Sequence, residues 1–314
     1  MLINKRCVYV VEKLISDFQF YKVNIIRSIN GAVIIDAGIS ATASLETGII
    51  VTDLTLGCLS RSTYTYHVIE GLELPAIQVY TSHPKLAIFG CQYGWIDVEN
   101  YGPRMIISGP IRLLSKKPSD IMNYVNYSEQ YEKTVAIIQN ENIPSEEIIA
   151  RLAKDANVHP KNMYLIVTPA NSLVGGVQIS ARAIENSMLK LTTIDKSVID
   201  KVEHVMGISP IPPPAKNASI TADDMIIYAS HVTLWVNDIS DSKTKEISEK
   251  LPAKTSKLYG LMFREILESV DYNFKKIDKS IFAPATVTII NQKTGSIFMN
   301  GQYNTEILKK SIFF

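Results

Sequence analysis

Apolar positions along the chain switch between a helical and an alternating period, and the switches mark the elements. Val8, Val11, Ile15 and Phe18 recur at helical steps and predict an amphipathic helix at the start. Residues 23–29 and 32–35, joined by Asn30-Gly31, predict a hairpin through a two-residue type I′ turn, which needs positive φ at both central positions. The small residues 40–44 read as a loop, and the apolar run 45–59 fits helix or strand equally. Residues 74–80 predict a strand interrupted near its start by Pro75. Apolar residues 86–89 run into the glycine-bracketed turn Gly90-Cys91-Gln92-Tyr93-Gly94-Trp95. Residues 105–107 lead through Ser108-Gly109-Pro110 into a helix from Ile111.

From residue 134 the pattern simplifies. A strand at 135–138, a helix capped by Ser145 with Ile148, Ile149 and Leu152 on one face, and a strand at 163–167 predict a βαβ unit, hence a parallel pair. The chain then breaks at Thr168, Pro169, Asn171 and Gly175-Gly176, at the carboxyl end of a strand, where ligands of α/β sheets bind. A helix is predicted from Val177, with Val177, Ala181, Ile184, Met188 and Leu191 forming its apolar face. A second row, Gln178, Arg182, Glu185 and Leu189, lies about 100° round and places three polar groups side by side at the border of that face. On a solvated face an Arg-Glu pair three residues apart contributes only about 0.2–0.5 kcal/mol. The glycine pair, which lets backbone approach a ligand closely, and the free amides of a helix N-terminus favour a functional reading.

Residues 197–206 predict a helix ending at Gly207, and Pro210, Pro212, Pro213 and Pro214 an extended linker. A crossing between lobes is expected near 207–216. Thr221, Ala222, Asp223 and Asp224 precede a predicted strand at 225–229, with 232–236 as its partner. Helices follow at 243–250 and 259–270, then a hairpin of 282–290 with 296–299, and a short helix from Glu306. The fold class expected is α/β: mixed sheets with antiparallel hairpins and at least one βαβ unit, in two closely joined lobes with a pocket between them.

Composition narrows the function classes. A chain of 314 residues, 46% hydrophobic and 20% charged, can bury a sizeable core. Its formal charge of +1, from 32 basic and 31 acidic residues, supplies no overall field for nucleic acid or an anionic membrane. The charged first twenty residues exclude a signal peptide's apolar stretch, and no run approaches the ~18 apolar residues of a membrane span, so a cytoplasmic location is expected. Asn217-Ala218-Ser219 is then a chance sequon. Cys7, Cys58 and Cys91, odd in number and distant in sequence, read as reduced and individually placed. The five histidines show no metal-ligand spacing, and no metal is expected. Walker, GxGxxG and GxSxG motifs are absent.

The motif LVGGVQISARAIE at 173–185, with SGPIR at 108–112, TSHP at 81–84, GISPIP at 207–212, IIY at 226–228, YG at 259–260, KID at 276–278 and FAPA at 282–285, resembles the methenyltetrahydromethanopterin cyclohydrolase family from end to end. That resemblance implies a single cyclohydrolase-type chain, 1–314, of two intertwined lobes, a pterin pocket and assembly as a homotrimer. It also implies interconversion of a methenyl pterin cation and water with the 5-formyl pterin, the pterin being substrate and no cofactor being used. The family's catalytic arginine and glutamate fall on Arg182 and Glu185. Contacts to substrate are expected from Gln92, Tyr93, Ser108, Gly109, Pro169, Asn171, Ser172, Gln178 and Asp223.

The chemistry suits those residue types. A methenyl bridge between two nitrogens is already an electrophilic amidinium, so the protein needs to position water and move protons. A carboxylate accepts the water proton during attack and returns it to the departing nitrogen, and Glu185 is expected in both steps. The family pattern carries a lysine and one more residue where this chain has only Gln92-Tyr93-Gly94-Trp95. That departure leaves tetrahydrofolate or a modified archaeal pterin as alternative substrates, and a non-catalytic pterin-binding protein as an alternative class.

Overall fold

The computed structural model describes residues 2–102, 105–214 and 221–312. Its strands are β1 (Asn24–Arg27), β2 (Val33–Asp36), β3 (Ser60–Ile69), β4 (Leu72–Thr81), β5 (Ile106–Ser108), β6 (Thr134–Gln139), β7 (Met163–Thr168), β8 (Val202–Pro210), β9 (His231–Val236), β10 (Thr286–Asn291) and β11 (Ile297–Gly301). They form two sheets, in the orders β1-β2-β7-β6-β5 and β11-β10-β9-β8-β4-β3. The chain divides into two units, one of residues up to Ser60 with Lys85–Gln178, the other of Arg61–Pro84 with residues from Ile179 on. It passes between them at 60/61, 84/85 and 178/179. The described part of the 207–216 segment lies within the second unit. The sequon at 217–219 lies outside the described residues.

In the first unit β2, β7 and β6 run parallel and β1 and β5 are antiparallel edges, so the class expected from the sequence is present. β6 and β7 are joined by the helix Glu146–Ala156, whose first turn is closed by Ser145 Oγ accepting from the Ile148 amide at 3.4 Å. Ile149, Leu152 and Ala153 on this helix pack with Ala136, Ile138, Leu165 and Val167 of the two strands. Each fully buried aliphatic side chain contributes about 1.5–3 kcal/mol.

The β1-β2 hairpin forms, but not through a two-residue turn. The Gly31 amide donates to Ser28 O and the Ser28 amide to Ala32 O, both at 3.0 Å, and Gly31 alone of the Asn-Gly pair takes positive φ, 88°. The loop is longer than a type I′ connection, and Asn30 needs no left-handed geometry. The ambiguous run 45–59 contains the helix Leu45–Thr55, capped by Ser44 Oγ on the Thr47 amide at 3.2 Å.

β2 ends on Asp36, whose carboxylate accepts from the amides of Gly38, Ile39, Ser40 and Ala41 and from Ser40 Oγ at 2.6–3.1 Å. Burial works against its charge, and the Ser40 hydroxyl with the amides of Ser40, Gly38 and Ile39 outweighs burial, lowering the pKa to about 2. A folded value below the unfolded one, about 3.9, means stability present above pH 4 and lost as pH falls through 2. Asp36→Asn is expected to cost about 1–2 kcal/mol at pH 7. Urea titrations of both proteins should show the difference shrinking from pH 5 to pH 2; a difference independent of pH would refute this account.

In the second unit β9 and β10 are parallel, while β4-β8, β8-β9 and β10-β11 are antiparallel. Helices Ala183–Asp195 and Ala222–Ala229 both pack against β8, and Asp241–Lys250 against β10 and β11. Gly207 of β8 makes room for the first of these, since a Cβ there would lie 2.7 Å from Ile184 Cγ2.

Two predicted elements of this unit are corrected. Residues 197–206 are not a helix: a short helical turn, Lys196–Lys201, gives way to β8. Residues 225–229 are not a strand but part of Ala222–Ala229, which opens on a capping box in which Thr221 Oγ1 accepts from the Asp224 amide at 3.2 Å and Asp224 Oδ2 from the Thr221 amide at 2.8 Å. Strand β9 therefore pairs with β8 and β10. The predicted helix at 259–270 shortens to Phe263–Ser269, while 282–290 and 296–299 do form the β10-β11 hairpin. The cysteines are not individually placed: Cys7 and Cys58 bring their sulfurs to 3.6 Å, both buried, and burial followed by the Cys58 contact raises the Cys7 pKa.

Candidate active site

Arg182 and Glu185 belong to the second unit, at a break between two helices. Leu173–Ser180 ends in a turn where the Arg182 amide donates to Ile179 O at 2.8 Å, and Ala183–Asp195 then begins with the Asn186 amide donating to Arg182 O, also at 2.8 Å. The single continuous helix expected from Val177 is thus two. Arg182 stands at the N-cap position of the second helix and Glu185 in its first turn. The apolar positions Ile184, Met188 and Leu191 are fully buried, as their spacing predicts.

Arg182 Nη1 lies 2.5 Å from Glu185 Oε2, and the two side chains are only 11% and 6% exposed. This is not a solvated surface pair. Taking an ion out of water costs several kcal/mol, which pairing offsets only with good geometry, so such a pair adds little to stability. Placing a carboxylate and a guanidinium at a helix start does give two of the groups that a hydration reaction uses, one to accept a proton and one to hold charge.

Asp223 joins them electrostatically. It occupies the first turn of Ala222–Ala229 and retains partial surface exposure. Its carboxyl is nonetheless crowded: burial, then the neighbouring Asp224 and, more weakly, Glu185 push its pKa up to about 7 against the opposing effect of Arg182.

The remaining candidates fall in the first unit. Gln92 ends a wide, π-helical segment, Lys85–Gln92, and is wholly buried. Such segments are rare and often sit at functional sites. The Tyr93 amide donates to Ile88 O at 2.8 Å, and its ring lies 5.0 Å from the Arg112 guanidinium. The Gly109 amide donates to Cys91 O at 2.8 Å, which ties the Ser108-Gly109 turn to the Gln92-Tyr93 turn. Gly109 has φ 94°, and a Cβ there would lie 2.7 Å from Ile137 Cδ1. Its lack of a side chain serves packing on β6. Gln178 is buried and donates through Nε2 to Gln139 Oε1 at 3.2 Å, at the carboxyl end of β6.

Pro169, Asn171 and Ser172 follow β7. Ser172 Oγ lies 2.9 Å from Thr168 Oγ1, 2.8 Å from Pro169 O and 3.0 Å from the Gly175 amide. These bonds fix the loop and start the helix at Leu173, so the glycine pair lies inside the helix instead of ahead of it. A Cβ at Gly175 would lie 1.8 Å from Pro169 O. The close approach expected for a ligand is made by the protein's own carbonyl.

Sequence reasoning passed over Arg112. It is fully buried, donates through Nη1 to Phe89 O at 2.7 Å and through Nε to Lys117 O at 3.1 Å, and so anchors the π-helical segment from beneath. The available signal was an arginine inside the otherwise apolar stretch Ile111-Arg112-Leu113-Leu114.

Comparison with known proteins bears on the whole chain. Residues 2–312 match the family model described as Cyclohydrolase (MCH). The methenyltetrahydromethanopterin cyclohydrolase of Methanocaldococcus jannaschii is 33% identical over 317 aligned positions, covering 99% of this chain and 98% of that protein. Proteins of the same name from Methanococcoides burtonii and Methanothermobacter marburgensis are 32% and 30% identical, over 98% and 96% of this chain and 97% and 96% of theirs. With its length matched almost completely, the chain belongs to the MCH cyclohydrolase family.

Proposed function

We propose that the chain catalyses the reversible hydration of 5,10-methenyltetrahydromethanopterin to the 5-formyl pterin, with Glu185 as general base and then general acid and Arg182 assisting. The buried Arg182-Glu185 pair at the start of a helix, on the motif that carries the family resemblance, is the observation that supports this reading. Water attacks the methenyl carbon while one of its protons passes to Glu185. The bond from that carbon to the departing nitrogen then breaks as Glu185 returns the proton to the nitrogen. The hydroxyl proton leaves as its electron pair closes the formyl C=O, so one proton is released per hydration.

The substrate enters as a cation, and the carboxylate charge favours it electrostatically. Arg182 orients Glu185 and holds the charge that develops on the added oxygen. Contacts from Gln92, Tyr93, Ser108, Gly109, Pro169, Asn171, Ser172, Gln178 and Asp223 complete the reading, with no cofactor beyond the substrate, a cytoplasmic location and a homotrimeric assembly.

Loss of the methenyl absorbance on adding protein is the direct test. Hydration of methenyltetrahydromethanopterin is expected at least tenfold faster, as kcat/KM, than that of methenyltetrahydrofolate. Equal rates would shift the assignment to a folate or mixed-pterin enzyme, and tight binding of each pterin without turnover would leave a binding protein.

A further inference from the structure

Hydration in the proposed scheme puts one proton into the site that must reach solvent before the next cycle. Glu185, the residue that would receive it, is only 4% exposed. Helices Ala183–Asp195 and Ala222–Ala229 pack against the same strand, β8; the first begins with Arg182 at its N-cap and Glu185 in its first turn, and the first turn of the second carries Asp223 and Asp224. The charged groups facing Asp223 are Asp224 on its own helix and Arg182 and Glu185 from the other.

Asp224 is already committed. Its Oδ2 accepts from the Thr221 amide and Oγ1 at 2.8 and 2.7 Å, and its Oδ1 from the Phe263 amide at 2.7 Å. Asp223 differs in what matters: it retains partial surface exposure, and it makes none of the bonds that hold the Asp224 carboxylate.

We propose that Asp223 is the proton-exit residue of this site, taking from Glu185, by way of water, the proton released in hydration and passing it to solvent. The proposal rests on the reading of Glu185 as general base. In balance, the O–H bond of the hydrated intermediate breaks with its electron pair forming C=O, and the proton passes to the Glu185 carboxylate. It moves next to the Asp223 carboxylate and then to a buffer base, which restores both carboxylates. A group that titrates near pH 7 is matched to accept and release protons at neutral pH, and burial with the Asp224 charge brings Asp223 to about 7. In this role Asp223 acts through Glu185 as a positioning and transfer residue, distinct from the substrate contact expected of it.

The test is steady-state hydration of methenyltetrahydromethanopterin by the full chain and by Asp223→Asn over a range of imidazole concentrations. In dilute buffer the variant is expected to lose about tenfold or more in kcat with KM little changed. Rising imidazole should restore its rate while leaving the wild type unaffected. The wild-type kcat profile should bend near pH 7 and that bend should vanish in the variant, and Asp223→Glu should recover much of the loss without added imidazole. A variant as fast as wild type in dilute buffer, or one whose deficit no buffer relieves, overturns the relay. Should Asp223→Asn fail to fold, a wild-type profile flat around neutrality does the same. Absence of wild-type turnover defeats the reaction itself, a different result from loss of the exit route.

Discussion

Glu185→Gln is expected to lower kcat for methenyl hydration by about 10²–10⁴-fold with KM changed only a few-fold, the range typical for removal of a general acid-base group. Glutamine keeps the side-chain length and leaves a carbonyl oxygen to accept from Arg182 Nη1, which now lies 2.5 Å from Oε2. Packing around Ile184 and Met188 is untouched. What disappears is the capacity to take a proton from water and return it to nitrogen. Stopped-flow decay of the methenyl chromophore measures this directly, and a variant that turns over at the parental rate would remove Glu185 from the chemistry.

The partner variant separates chemistry from stability. Arg182→Gln strands a carboxylate whose side chain is only 6% exposed, and breaking a buried pair by removing one member costs about 3–5 kcal/mol. Arg182 itself is more exposed than Glu185, so the converse variant lets the guanidinium turn partly toward water and should melt at the higher temperature of the two. Because the groups act as a unit, the double variant should be barely slower than Glu185→Gln alone.

The parts of this fold legible in the sequence are those where one period dominates and a cap marks the boundary. β6, the Ser145-capped helix and β7 satisfy both conditions, since a strand buried on both faces reads as an unbroken apolar run. β8 failed for a physical reason. Its pairing with β9 shifts register between Val202 and His204, a bulge that turns Val202 and Val205 inward at a spacing of three, which mimics a helix. The run Met225-Ile226-Ile227-Tyr228-Ala229 failed for another: five apolar residues fit a buried helix as well as a strand. The deciding signal was Thr221 three residues ahead of Asp224, a capping box written with Asp in place of Glu. At the site, residue identities in the Arg182-Glu185 motif were legible, but the turn at Ala181-Arg182 was not, because nothing in Ser180-Ala181-Arg182-Ala183 punctuates a helix. Asp223 was placed among the candidates. Its crowding, which depends on elements far apart in sequence, could only be seen in three dimensions.

Gly175→Ala is expected to destabilise the protein by about 3 kcal/mol or more, opposite in sign to what helix propensity alone would give. Within Leu173–Ser180 an alanine would gain about 1 kcal/mol over glycine. The added Cβ, however, would stand 1.8 Å from Pro169 O and 2.8 Å from its carbonyl carbon, backbone atoms that cannot swing aside as a side chain can. Pro169 O is also held by the Ser172 amide at 3.1 Å and Ser172 Oγ at 2.8 Å, so retreat of the loop would break the bonds that start this helix. Gly90→Ala is the matched control: its nearest neighbours, Leu86 Cδ1 at 3.0 Å and Leu113 Cδ2 at 3.2 Å, are ends of flexible side chains, and the cost there should stay near 1 kcal/mol. Urea midpoints of the two variants against the parent decide the matter. Equal stability of Gly175→Ala and parent would show that the loop after β7 yields easily, and would return the glycine to the role of admitting a ligand.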